Sequence, residues 1–235
     1  MEDNYALSEA VRQRYERLYT GVFYERYILG LWMLAEGLVY PQFDKNIHVV
    51  PDMLPDANSG EWYISCDYGT VNPCSFGLWY VDDDGSALRV REYYYDARKR
   101  GISRTDEEHY AELENLAGSL APYIRAVIVD PSAASFITCI HRHETFSVWK
   151  ANNSVIDGIR DTAALLKLGK IHICAGCKDI IREFGLYRWD DKHIDKDTVI
   201  KENDHAMDDM RYFVKGAMYR TFREIDFNLD TKYRR

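Results

Sequence analysis

The sequence lacks any apolar run long enough to cross a membrane, because a transmembrane helix needs about 20 consecutive apolar residues. Its first residues, MEDNYALSEA, lack the basic start and the apolar core of a secretory signal peptide. Cysteines are few: the five residues, at positions 66, 74, 139, 174 and 177, are odd in number and lack the spacing of a disulfide framework. We therefore expect no membrane association and a reducing, intracellular environment.

The one closely spaced cysteine pair, Cys174 and Cys177, raises the question of a zinc site. A structural zinc site needs four ligands, and no second pair or suitably spaced histidines follow this one. His172 lies just upstream and cannot complete four ligands alone. The pattern favours an unpaired, partly buried pair over a zinc site.

Positive charge is also scarce, with 30 Lys and Arg against 38 Asp and Glu and a net charge of −8. Because binding to a nucleic-acid backbone depends on Lys and Arg that neutralise phosphates, we expect weak intrinsic affinity for DNA. Another domain or subunit would then supply most of the binding energy. Two short basic groups, which are also common in solvated loops, are the candidate DNA contacts: Arg98, Lys99, Arg100 and Arg104, and Lys192, Lys196 and Lys201.

Acidic residues, in contrast, stand at three places that together predict one metal site. Asp67 and Asp130 each follow an apolar run that predicts a strand, and an acidic group at residues 204–209 opens an amphipathic helix. Carboxylates brought together from separate elements repel one another, and a bound divalent cation commonly offsets this repulsion. Since paired hard cations held by carboxylates hydrolyse phosphodiesters, the pattern favours a metal-dependent nuclease.

Each acidic signal alone has a simpler interpretation. An aspartate after a strand is often a turn or capping residue, and an acidic helix start complements the helix dipole. The ordered combination of two strand ends and one helix start is what favours a site. On the helix, Asp204, His205 and Asp208 are neighbours, whereas Asp209 points away toward the core. Asp208 is therefore the predicted ligand of this group.

The distribution of elements predicts two regions and an α/β fold. Residues 1–58 read as a helical linker segment, with helices over about residues 8–19 and 22–36, and residues 59–235 as one domain. We predict a mixed sheet of three antiparallel strands followed by parallel strands, with helices on both faces. The predicted strands cover about residues 62–68, 76–81, 88–95, 124–129, 146–149, 170–174 and 186–189. The predicted helices cover about residues 105–120, 133–141, 154–168, 178–184 and 204–220.

Three motifs carry a resemblance to a known family: CDYGTVNPCSFGLW, VIVDPSAASF and NDHAMDDMRYF. With the upstream segment RYILGLWMLAEGLVYPQFD, they resemble the C-terminal nuclease domain of phage terminase large subunits, which has the RNase H-like fold. The resemblance extends from about Tyr24 to Tyr219, and DHAMD is its most specific part. Terminase large subunits also contain a packaging ATPase, but this sequence has no GxxxxGK[ST] phosphate-binding loop. The chain is therefore similar to the nuclease half with part of the linker.

The resemblance implies a two-metal endonuclease that cuts concatemeric double-stranded DNA in the cytoplasm of an infected bacterial host. It implies that Asp67 holds both ions, that Asp130 binds one, and that Asp208 with His205 completes the other, while Asp204 and Asp209 support these ligands. A histidine ligand favours Mn²⁺ over Mg²⁺, although His205 could instead hydrogen-bond a ligating carboxylate. The implied partners are the terminase ATPase domain, the small terminase subunit and the portal.

Two other functions stay open on the sequence. The chain could be a docking module of the packaging motor with a weak or vestigial nuclease site. It could also be another RNase H-like nuclease, such as a junction resolvase, which would need a dimer that presents two sites.

Overall fold

A computed structural model describes residues 21–30, 35–190 and 197–218, together with residues 13, 16, 18 and 19. The described part contains a seven-stranded sheet with the strand order β1-β7-β4-β3-β2-β5-β6. Its strands are β1 (Val49–Val50), β2 (Glu61–Asp67), β3 (Cys74–Val81), β4 (Ala87–Tyr95), β5 (Ile124–Val129), β6 (Val148–Lys150) and β7 (Ile171–Cys174).

The sheet combines the two kinds of strand pairing that the sequence predicts. Strands β2, β3 and β4 are antiparallel neighbours, and the β3–β4 connection turns at Gly85, whose φ of 70° suits glycine. Strand β5 pairs in parallel with β2, and β6 pairs in parallel with β5. At the other edge, β7 lies parallel to β4 and β1 lies parallel to β7. The predicted mixed α/β sheet is confirmed.

The described helices lie before β1, in the three connections from β4 to β7, and after β7. The longest connecting helices are α4 and α6, and the capping box of Thr105 and Glu108 starts α4 where the sequence predicts a cap. A 3-10 helix, Gly118–Tyr123, leads from α4 into β5. The described helices are α1 (Gly21–Tyr27), α2 (Lys45–His48), α3 (Ala97–Arg100), α4 (Asp106–Ala117), α5 (Ala134–His143), α6 (Val155–Lys167), α7 (Lys178–Phe184) and α8 (His205–Ala217).

The side chains of β3 show that helices cover both faces of the sheet. Phe76 packs against Phe136 of α5, with ring centroids 5.6 Å apart. Trp79 stacks on Phe213 of α8, with ring centroids 4.2 Å apart. All four rings are fully buried, so this central strand lies in the core between α5 on one side and α8 on the other. Within the described residues, no helix is long and apolar enough to cross a membrane.

Four of the predictions differ from the structure by more than small shifts at the ends of an element. The strand predicted over residues 186–189 is wrong, because only the isolated bridges Leu38–Arg188 and Trp189–Val199 form there. In this segment, Tyr187 packs against Tyr40 and Trp189 packs against Phe23, and both side chains are buried. A buried loop of this kind has alternating apolar residues, which is also the pattern of a strand. Helix α1 ends at Tyr27 instead of continuing to residue 36, and Gly30 adopts a left-handed φ of 70°.

The other two differences concern the ends of the chain. Residues Val49–Val50, within the predicted linker, form an edge strand of the sheet, because their backbone pairs with β7. The domain boundary near residue 58 stays a prediction. Helix α8 ends at Ala217, and residues 219 and 220 of its predicted range lie outside the described residues. Of the helix predicted over residues 8–19, the structure describes only residues 13, 16, 18 and 19.

Candidate metal centre

Two of the predicted ligands lie at neighbouring strand ends. Asp67 is the last residue of β2, and Asp130 directly follows β5. These strands are parallel neighbours with Cys66 opposite Val129, so their carboxyl ends meet at the same edge of the sheet. The chain therefore brings together two aspartates that stand far apart in the sequence.

Helix α8 adds the third acidic group at this edge. Asp204 is its N-cap residue and His205 its first residue, and both reach the strand ends because α8 packs across β2, β3 and β5. The four predicted metal ligands, Asp67, Asp130, His205 and Asp208, line one open cavity of about 760 Å³. Asp204 and Tyr212 line the same cavity. A second cavity, of about 640 Å³ beside β4, contains none of the predicted site residues.

Asp67, Asp130, Asp204 and Asp208 each already have a partner in the protein. His205 Nδ1 lies 2.8 Å from Asp67 Oδ2, and the Tyr212 hydroxyl donates a hydrogen bond of 2.7 Å to Asp130 Oδ2. Lys201 Nζ lies 3.4 Å from Asp204 and 3.5 Å from Asp208. Because the Lys201 side chain is 63% exposed, we expect these last two ion pairs to be weak.

Asp208 has a second, buried cationic neighbour. Arg211, one turn further along α8, places a guanidinium nitrogen 2.7 Å from Asp208 Oδ1. This oxygen is buried, and the ion pair with Arg211 compensates its charge. Gly158 of α6 allows Arg211 to lie there, since a Cβ at this position would come within 2.3 Å of its side chain.

The crowding shows in the protonation equilibria of Asp67 and Asp204. Burial raises the pKa of Asp67 to about 7, with a further contribution from the negative charge of Asp208, although the hydrogen bond from His205 works against it. Burial, followed by the charge of Asp208, also raises the pKa of Asp204. Both carboxylates therefore carry a cost for being ionised that a bound cation would remove.

For Asp130 and His205, hydrogen bonding outweighs burial and decides the direction of the pKa shift. Burial raises the pKa of the Asp130 carboxyl, but hydrogen bonds from Ser132 and Tyr212 outweigh it and the net shift is downward. Burial lowers the pKa of His205, but its hydrogen bond to Asp67 outweighs this effect and the net shift is upward. The imidazole therefore contacts the Asp67 carboxylate, and its role as ligand or as support for Asp67 stays a prediction.

The donor set fits a hard divalent cation in its chemistry. Aspartate oxygens are ligands that such cations prefer, and Asp67, Asp130, Asp204 and Asp208 all line this cavity. Among the described residues, no three carboxylate or imidazole donors of this cavity lie within 4.8 Å of one another. The side chains that face the cavity are thus suited to a cation, but their present positions satisfy contacts within the protein.

Asp209 lies outside the cavity, in agreement with its predicted direction. It is fully buried and accepts hydrogen bonds from Ser65 and Ser75. Arg89 of β4, also fully buried, reaches Asp209 Oδ2 at 3.0 Å. The structure therefore does not bring Asp209 to the metal-site residues, and its contacts fasten α8 to the sheet.

The predicted basic residues divide into two groups. Arg98, Lys99 and Lys201 line the cavity. Arg104 does not line it. This side chain forms an ion pair with Glu112 at 2.6 Å and donates a hydrogen bond to the Tyr93 hydroxyl. Arg100 lies over the ring of Tyr95, with its guanidinium carbon 5.0 Å from the ring centroid. Lys192 and Lys196 lie outside the described residues.

Sequence reasoning missed three residues that shape the site. Tyr212 and Arg211 follow Asp208 by four and three positions, so helical spacing alone could have placed them on its face. Glu183 of α7 is fully buried and accepts a hydrogen bond of 2.7 Å from the backbone nitrogen of Ala206. No local pattern marks Glu183, because its partner lies on a different helix.

Comparison with solved structures finds phage large terminases and their nuclease domains. The chain is 45% identical to the large terminase of a thermophilic bacteriophage, solved in complex with ADP, with a TM-score of 0.86. This match covers 93% of the chain and 54% of the ADP-bound terminase, so the chain spans about half the length of that relative. No family model matches the chain, and neither does any curated protein.

Two nuclease-domain structures match at lower identity. The P22 large terminase nuclease domain is 18% identical, with a TM-score of 0.63, over 82% of the chain and 99% of the P22 domain. The nuclease of the large terminase from the thermophilic phage G20c is 15% identical, with a TM-score of 0.56. This match covers 75% of the chain and 97% of the G20c nuclease. The G20c nuclease also matches as structures with bound cobalt and with bound magnesium. The chain thus has the RNase H-like fold of these terminase nuclease domains, and its predicted resemblance to phage large terminases is confirmed.

Proposed function

We propose that the chain is the nuclease domain of a viral DNA-packaging terminase and that it cuts double-stranded DNA with the help of divalent cations. The observation that carries the proposal is the meeting of Asp67, Asp130 and Asp208 at one edge of the sheet. The large terminase that is 45% identical to the chain supports the packaging role. We place the nuclease domain in residues 59–235 and propose that residues 1–58 lead toward the ATPase domain, with Val49–Val50 of this segment pairing at the edge of the nuclease sheet.

Asp67, Asp130 and Asp208 are the residues that would hold the cations. When bound, such cations lower the pKa of a water molecule to form the attacking hydroxide and neutralise charge on the phosphate. His205 keeps the Asp67 carboxylate in place through its 2.8 Å contact, and Tyr212 does the same for Asp130. These two contacts restrict the carboxylate rotamers, which reduces the entropy lost when a cation binds.

The identity of the cations depends on His205. The G20c nuclease structures contain cobalt in one case and magnesium in another, which supports a site for divalent cations in this fold. We propose two ions and a preference for Mn²⁺, because an imidazole ligand suits later divalent metals better than Mg²⁺. If His205 only supports Asp67, an all-oxygen site remains, and such a site suits Mg²⁺.

DNA reaches the centre through the open cavity, past Arg98 and Lys99 at its rim. With a net charge of −8, the chain binds DNA weakly and with little sequence preference, and its affinity falls as salt rises. The ATPase domain, the small terminase subunit and the portal supply the remaining contacts in the cytoplasm of the infected host. Binding that is both tight and sequence-specific at physiological salt would contradict this division of labour.

One observation favours a second candidate, a docking module of the packaging motor with little nuclease activity. Lys201 and Arg211 both neutralise Asp208, and the donors of the cavity are not gathered for a single ion. A cation must therefore displace Lys201 and draw the carboxylates together. A docking module would bind its motor partners but would not cut DNA at any cation concentration.

Plasmid nicking by purified protein separates the two candidates. We expect wild-type protein to convert supercoiled plasmid to nicked and linear forms with Mn²⁺ and to leave it intact with chelator. Asp208→Asn should lose this activity, whereas Asp157→Asn, at an exposed position that pairs with Arg160, should retain it. If Asp208→Asn cuts normally and Asp204→Asn does not, the assignment within α8 is wrong.

A further inference from the structure

We propose that Glu107, Cys139 and His143 form a second metal site, which binds a zinc-class divalent cation. One donor atom from each residue lies within 4.8 Å of the other two, and His143 Nε2 lies 2.7 Å from Glu107 Oε2. None of these residues lines the acidic cavity. The site is therefore separate from the candidate nuclease centre and does not depend on the proposed function.

The fold brings the three donors together from two helices. Cys139 and His143 stand four positions apart on α5, so their side chains project from the same face one turn apart. Glu107 lies in the first turn of α4, which packs against α5. The ring of Tyr110 stacks on the His143 imidazole, with ring centroids 3.8 Å apart and planes 8° apart. This stacking fixes the orientation of the imidazole.

The donor types select the class of cation. A thiolate sulfur, an imidazole nitrogen and a carboxylate oxygen are ligands of Zn²⁺, whereas Mg²⁺ prefers oxygen and water alone. Three protein ligands leave a fourth tetrahedral position for water. An ion can enter from solvent, because the Glu107 and His143 side chains are 63% and 38% exposed. Cys139, in contrast, is 4% exposed and forms the floor of the site.

Binding must overcome one cost, the loss of the thiol proton. Burial raises the pKa of Cys139 to about 11, and the neighbouring Glu107 charge adds to this shift. The cation replaces this proton: the S–H bond breaks, a metal–sulfur bond forms, and one proton passes to solvent for each ion bound. Glu107 and His143 exchange their mutual contact for the ion at the same time, and the neutral imidazole moves its proton from Nε2 to Nδ1 so that Nε2 can bind. The bound ion then links the start of α4 to the end of α5.

Cobalt spectroscopy on the reduced, metal-free full chain tests this site. A thiolate bound to Co²⁺ gives a charge-transfer absorption in the near ultraviolet that carboxylate ligands do not give. We expect the band of the wild type to grow with Co²⁺ until the thiolate site is saturated, and to disappear when Zn²⁺ is added. Cys139→Ser should abolish the band. His143→Gln should weaken Co²⁺ binding by at least about tenfold, since even residues that only support ligands contribute that much.

Two variants with unchanged donors serve as matched controls. Cys174→Ser removes a thiol of the Cys174–Cys177 pair, and Asp157→Asn removes a half-exposed carboxylate that pairs with Arg160 and belongs to neither site. Both should keep the band at wild-type affinity. The absence of a band in the wild type, or its persistence in Cys139→Ser, would overturn the proposal. Should Cys139→Ser fail to fold, unchanged Co²⁺ affinity in His143→Gln, whose side chain is partly exposed, would overturn it equally.

Discussion

Replacing Asp67 with asparagine should stabilise the metal-free protein, by an amount that grows as the pH rises. Burial raises the pKa of Asp67 from 3.8 to about 7 in the folded protein. A group with a raised folded-state pKa contributes its full stability below its unfolded pKa and loses this contribution as the pH rises through the folded pKa. An asparagine side chain does not ionise, so the variant escapes that loss.

The size of the effect follows from the two pKa values of Asp67, 3.8 and about 7. At 1.36 kcal/mol per unit, the full cost of ionising Asp67 in the folded state is about 4 kcal/mol. Between about pH 5 and about pH 8, linkage predicts that the stability advantage of Asp67→Asn grows by about 2.5 kcal/mol. Urea unfolding of both proteins in the presence of chelator, across this pH range, measures the change directly.

Asp130→Asn is the matched control, because the same chemical change should have the opposite sign. The net pKa shift of Asp130 is downward, so its carboxylate contributes stability above the unfolded pKa and loses this contribution as the pH falls. Asp130→Asn should therefore destabilise the protein at about pH 8, where Asp67→Asn stabilises it. An Asp67→Asn protein that is less stable than wild type at every pH would refute the assignment of Asp67 to a crowded, buried acidic site.

Three further results follow from the contacts of α8. Asp209→Ala should lower the free energy of unfolding by about 3 kcal/mol in urea denaturation, because the buried Arg89 guanidinium loses its closest carboxylate and keeps only Glu92, at 3.7 Å; an unchanged value would contradict this. Glu183→Ala should cost about 1–3 kcal/mol in the same assay, because the backbone N–H of Ala206 loses its acceptor. His205→Ala should reduce the ratio of the Mn²⁺-supported to the Mg²⁺-supported nicking rate if the imidazole binds the cation, and an unchanged ratio would limit His205 to supporting Asp67.

The sequence predicted most of the sheet, because most of its strands are apolar runs that end at turn or capping residues. The apolar run of Ile124–Val129 ends where the structure ends β5, and Thr105 with Glu108 starts α4 as a capping box predicts. The errors lie where tertiary packing gives the same signal as a strand. Tyr187 and Trp189 are buried, but against residues outside the sheet. The short strand Val49–Val50 forms because its backbone pairs with the edge strand β7. The residues around position 49 carry no sign of this pairing, because β7 lies far away in the sequence.

The sequence indicated which residues meet at the candidate site, but not which neighbours hold them there. The spacing within residues 204–209 placed His205 and Asp208 on one face of the helix and Asp209 on another, as the structure has them. The pairing of Asp209 with Arg89 joins residues far apart in the sequence, and no local pattern reports it. Glu107 and Cys139 meet for the same reason, through the packing of two helices.

The most direct test of the metal centre is the rate of plasmid nicking as a function of Mn²⁺ concentration, with wild type and three variants. We predict that Asp67→Asn, Asp130→Asn and Asp208→Asn each lower the rate by about a hundredfold or more, since a direct ligand contributes at least as much as the residues that support it. Circular dichroism should show that all three variants are folded. Wild-type nicking that is equally fast in chelator, or three variants that cut at the wild-type rate, would contradict a metal-dependent nuclease centred on these aspartates.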